Sequence, residues 1–121
     1  MINFEKKDNY LLVTGEGVRK DLLTIAEGTR KIYSFIEETK SRLVLIDYRK
    51  VNFLIQNVDA FNSVRFYESK IPQLKSVAVS TIVNEDNLHI GEVWEKFAKS
   101  RGFNFKVFTN WNDAEAWLLA Q

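Results

Sequence analysis

His89 is the only histidine in the 121 residues, and there is no cysteine. Any imidazole base, or any nucleophile activated by one, must therefore use that single ring. Asp86 and Glu92 stand three residues before and after it. A helix covering all three would place two carboxylates and an imidazole on roughly one face, a set that can hold a divalent metal. The same spacing also arises from a polar first helical turn, where carboxylates favour the positive end of the helix. The second reading is adopted, so no catalytic residue, metal ligand or cofactor is assigned. The lack of cysteine removes disulfides, thiolate metal sites and cysteine nucleophiles outright.

Two further groups invite chemistry. Gly15-Glu16-Gly17 follows an apolar run and precedes a helical pattern, as phosphate loops do, with Arg19 and Lys20 close behind. A third glycine is missing and Glu16 would oppose a phosphate, so a tight turn accounts for the pair. Asp47 ends an apolar run, and open α/β sheets bind ligands at the carboxyl ends of their strands. It can bind there, or tie down the next loop through Arg49, Lys50 or the backbone. Trp94, Trp111 and Trp117 sit at helical spacing and read as core or near-core aromatics.

The elements that must position these residues follow from periodicity. Ile2–Glu5, a turn at Lys7-Asp8-Asn9 and Tyr10–Thr14 form an N-terminal hairpin, which Gly15-Glu16-Gly17 interrupts. From Arg19 to Lys40, the residues Leu22, Ile25, Ala26, Ile32, Tyr33 and Ile36 mark one face of a long helix. Leu43–Tyr48 is apolar without alternation, as in a strand covered on both faces. Arg49–Gln56 is expected to be a connection, unusually apolar at Val51, Phe53, Leu54 and Ile55. A second helix spans Val58–Ile71 and stops at Pro72. Val77–Val83 is another buried strand.

Ile90, Val93, Trp94, Phe97 and Ala98 stripe a third helix, capped by Asn87 or Asp86 and followed by Gly102. Asn104–Phe108 alternates like an edge strand. Thr109 is expected to cap a last helix carrying Ala114, Trp117 and Leu118. The result is a single α/β domain over residues 1–121, in the order ββαβαβαβα. It is predicted to build a mainly parallel five-stranded sheet with helices packed on it.

Bulk properties limit the partners. Seventeen basic and sixteen acidic residues give a net charge of +1. They are spread evenly along the chain, whereas nucleic-acid binding needs concentrated positive charge. Neither nucleic acid nor a membrane-embedded state is expected: Leu43–Ile46, the longest aliphatic run, is far too short to span a bilayer. The charged N-terminus MINFEKKDNY does not read as a signal peptide, which points to the cytoplasm.

The hairpin, the long first helix, LVLIDYRKV, VAVSTIV and the tail FKVFTNWNDAEAWLLAQ together resemble the STAS-like proteins, more narrowly the SpoIIAA-like group. The resemblance covers essentially the whole chain. It rests on hydrophobic patterns, not on a catalytic signature. It implies a non-enzymatic domain.

In anti-sigma-factor antagonists of this superfamily, a phosphorylated Ser or Thr follows the second parallel strand. Here Asp47–Asn62 contains neither, and Ser63 falls inside the predicted helix, so that switch is not available. The related CRAL-TRIO domains hold an apolar ligand under a mobile helix. The expectation is thus a regulatory protein-interaction module, with a lipid or other small apolar ligand as the alternative. Asp47, Arg49, Phe53, Leu54, Ile55, Phe61, Phe66 and Tyr67 make up the candidate surface. A homodimer is expected through it, because one helix face cannot bury all of these apolar groups.

Overall fold

Lys7 donates its amide to the Tyr10 carbonyl at 2.9 Å, and this reversal sets β1 (Ile2–Lys6) antiparallel to β2 (Leu11–Arg19). The computed structural model describes all 121 residues. After the hairpin come α1 (Leu22–Thr39), β3 (Leu43–Phe53), α2 (Asn57–Lys70), β4 (Ala78–Val83), α3 (Leu88–Ser100), β5 (Asn104–Phe108) and α4 (Trp111–Leu119). Short 3₁₀ turns occupy Pro72–Ser76 and Glu85–Asn87. The strands form one sheet in the order β1-β2-β3-β4-β5, and every pairing after the hairpin is parallel. The α/β class, the five strands and their order agree with the sequence reading.

Because the strand order never reverses, crossovers of one hand place α1, α2 and α3 on the same face. Only α4 covers the other. Alternation along the central strands then feeds two cores. Val44, Ile46 and Val79 join Leu11, Val13 and Phe105 in a cluster of fifteen buried residues beneath the three helices. Leu45, Ala78 and Ile82 meet Ala114 and Leu118 of α4. Neighbouring residues are thus buried on opposite faces, which is why β3 and β4 read as unbroken apolar runs. Leu45 and Ile82 have no exposed surface, and such side chains are each worth about 1.5–3 kcal/mol. Trp94 packs on the larger core, Trp111 and Trp117 on the smaller.

Several boundaries differ from the reading. Gly15-Glu16-Gly17 does not end β2. Gly17 takes a positive φ of 105°, and pairing resumes from Glu16↔Lys50 to Arg19↔Phe53. Between Thr14↔Asp47 and Glu16↔Lys50, two residues of β3 stand against one of β2. That is a β-bulge, and it switches the inward phase of β3 from Val44 and Ile46 to Val51. The segment expected as a connection is therefore strand up to Phe53.

Arg19 lies in β2 and not in α1, whose N-cap is Asp21, with a reciprocal bond pattern to Thr24. The donors of that helix end are met locally, and the glycine pair sits within a strand, so no phosphate loop is built. Asn110, not Thr109, caps α4 by accepting from the Asp113 amide. As expected, α2 stops before Pro72, and Gly102, with φ 90°, ends α3.

Asn87 has the least expected role. It stands before α3, but its side chain makes no cap bond. Its Nδ2 donates to the Val51 carbonyl at 3.0 Å and its Oδ1 accepts from the Phe53 amide at 3.3 Å. β4 ends opposite Tyr48, so one amide side chain serves the next stretch of β3 as a neighbouring strand would. Asn84 Nδ2 does the same at the Arg49 carbonyl, at 3.1 Å.

Candidate functional site

Arg19 is the last residue of β2, and the alternation of Leu11, Val13 and Gly15 carries it to the inner face. It is 8% exposed. Buried arginines are ordinarily ion-paired, yet the chain's ion pairs join Lys7 to Glu5, Arg49 to Asp47, Lys75 and Arg101 to Glu68, and Lys99 to Glu95. None includes Arg19. Its guanidinium rests 5.4 Å from the centre of the Tyr48 ring. Helix α1 passes over it at Gly28, where an added methyl would lie 3.7 Å from Nε. Burial pushes the Tyr48 hydroxyl above its usual range, against the pull of the Arg19 charge.

Arg19 and Tyr48 border a cavity of about 110 Å³ between the sheet and helices α1, α2 and α3. A single water needs roughly 10–15 Å³, so the space is several waters in size. Its walls are largely apolar, with Ile32, Ile46, Val79, Trp94 and Phe105 among them. Thr81 contributes to the wall a buried hydroxyl that no other protein group partners. No acid and no imidazole lines the cavity. It lies towards the carboxyl ends of β2–β4, with Arg19, Tyr48, Phe53 and Val83 in its wall, where open α/β sheets place their ligands.

The candidate residues from the sequence divide four ways. Phe53, Ile55 and Tyr67 line the cavity. Phe61 and Phe66 are half-buried between helices: Phe61 packs edge-on against Phe97 at 4.9 Å, and Phe66 lies 5.1 Å from the Arg30 guanidinium. The aromatic part of the expected surface is thus used largely inside the fold, because α1 and α3 flank α2 on both sides. Leu54 alone of the eight projects as a large exposed apolar group.

Asp47 and Arg49 belong elsewhere. They line a polar cleft with Thr14, Glu16 and Lys50, and their strand phase puts Asp47 on the face opposite the cavity. Arg49 donates from Nε and Nη2 to the two Asp47 oxygens at 2.9 and 2.8 Å, and these bonds hold the carboxyl below its usual range. Asp47 therefore ties down the following segment, as one of its two readings had it. On the same side, Tyr10 donates to Glu115 of α4 at 2.6 Å. Burial, helped by that carboxylate, pushes the phenol up to about 12. Ser63 is buried and donates to the Ala60 carbonyl. Asp86, His89 and Glu92 do not converge: no group of three acidic or histidine side chains is gathered where it could hold a metal ion.

The sequence reading missed Arg19, Tyr48, Thr81 and Asn87 as site residues. For Arg19 a signal existed: carrying the alternation of β2 through Gly15 and Gly17 points residue 19 inward.

No protein-family model and no curated protein matches the chain. In structure it is similar to an uncharacterized protein of the DUF3478 family with a SpoIIAA-like fold from Shewanella loihica PV-4. The TM-score is 0.58 at 21% identity, covering 98% of this chain and 92% of that one. The fold is SpoIIAA-like, as the sequence resemblance implied. No helix is long and apolar enough to cross a membrane.

Proposed function

We propose that this chain is a non-enzymatic binding module for a small apolar ligand. The observation that carries this reading is the apolar cavity beneath α2, with Phe53, Ile55 and Tyr67 in its wall. Well-packed interiors hold few voids larger than a water, and apolar space of this order takes up small hydrocarbons. The lining offers no general base and no activated nucleophile, which supports a binding role over catalysis. Toluene is expected to shift the amide resonances of Ile46, Val79, Thr81 and Val107 saturably. Ala60→Leu, which fills the cavity from a fully buried position on α2, should suppress those shifts. If toluene leaves the lining resonances unmoved in the native chain, the reading fails.

A regulatory protein contact is the second reading, and one observation favours it. Val18, Leu23, Leu54 and Val58 are 49%, 65%, 61% and 55% exposed. They sit at the ends of β2 and β3 and at the starts of α1 and α2. The partner proposed is a second copy of the chain, since two-fold pairing covers one patch on both subunits. Light scattering at micromolar concentration should then give twice the chain mass for the native protein and a monomer for Leu54→Asp. A native monomer removes this reading.

A further inference from the structure

The polar end of the cavity narrows the ligand class. The Arg19 guanidinium stands beside an apolar space, on a residue only 8% exposed and with no acidic partner, so its charge is unpaired within the fold. Its planar fork matches a carboxylate through two parallel hydrogen bonds, which a hydroxyl or amide cannot reproduce. Tyr48 offers its ring face 5.4 Å away, which steadies the cation but leaves its charge uncompensated. Helix α1 lies over the guanidinium at Gly28, within ordinary contact distance. The wall beyond it, at Ile32, Ile46, Val79 and Phe105, supplies only apolar contact.

Resting on the apolar-ligand reading, we infer that the ligand is a small organic monocarboxylate, its carboxylate clamped by Arg19 and its hydrocarbon body in the cavity. Arg19 sets specificity by binding the anion and discriminating against neutral molecules of the same carbon skeleton. Glu16 and Asp47, the nearest acids along β2 and β3, line the polar cleft with Arg49 and Lys50, so neither occupies the place assigned to the ligand. The cavity wall holds no acid that would repel the anion.

The test compares benzoate with benzyl alcohol, which share the carbon skeleton of toluene, by titration calorimetry on the full chain at neutral pH. Benzoate is expected to bind roughly ten- to a hundredfold more tightly, the range of a charge-assisted hydrogen-bond pair. Arg19→Met keeps the apolar stem and should erase that preference while leaving benzyl alcohol binding in place. Should the variant not fold, the comparison on the native chain decides alone. Equal affinity for acid and alcohol overturns the monocarboxylate assignment and leaves the apolar cavity standing. Failure of both ligands to bind overturns both.

Discussion

Asn87→Ala should lower the unfolding free energy by about 2–4 kcal/mol, because it strips two backbone groups of β3 of their partner at once. The Val51 carbonyl and the Phe53 amide bond to this one side chain, and Val51 has no exposed surface. No other strand can replace the lost neighbour, since β4 has already ended opposite Tyr48. Asn87 also bonds Asn84 through Nδ2, at 3.0 Å, so the start of α3 loosens with it. The expected result in urea is a lower midpoint with unchanged slope, and a melting temperature reduced by about 10 °C. A loss under 0.5 kcal/mol would mean that water replaces the amide at both backbone groups, and that the side chain does not act as a strand.

Gly15→Val sets two effects against each other. Valine favours strands, on a scale that spans about 1 kcal/mol. Against that, a β-carbon at residue 15 would lie 2.8 Å from Cδ1 of the Tyr48 ring, and closer still to Cε1. Overpacking of a buried site costs about 1–3 kcal/mol, and valine adds two methyls beyond the β-carbon. The clash wins on magnitude: a net loss of about 2 kcal/mol or more is expected. Tyr48 lines the cavity and carries Arg19 on its ring, so ligand binding should fall as well. Gly15→Val combined with Tyr48→Ala should be less destabilised than the two single losses summed, since the contact is then absent. Additive losses, or a stabilised Gly15→Val, would show that the ring yields freely.

The layout was legible because each element carries its own periodic record. The stripe from Leu22 to Ile36 places α1, and the unbroken runs at Leu43 and Val77 mark strands covered on both faces. Pro72 and Gly102 punctuate two helix ends. What misled the reading was local chemistry with two meanings. Gly15 and Gly17 signal a turn as readily as a strand that passes an aromatic ring at the first glycine and takes a positive φ at the second. The extra residue in β3 shifts its inward phase, which hides Lys50–Phe53 from any test of alternation. Asn87 looks like a helix cap because a cap is the usual use of that residue at that place.

The candidate site was only half visible. Phe53, Ile55 and Tyr67 could be picked out by their apolar mass. Phe61 and Phe66, equally large, turned out to be packed between helices. By itself the sequence determined the class, the order of the elements and the exclusion of thiol chemistry, since these depend on composition and on spacing within one element. Only the tertiary structure decided that α1, α2 and α3 share one face, that the space beneath them is incompletely filled, and that Arg19 is buried there without an acid. Burial and pairing are relations between residues distant in the chain. Arg19, Gly28, Tyr48 and Thr81 come from four different elements, and no property of any one of them reveals the other three.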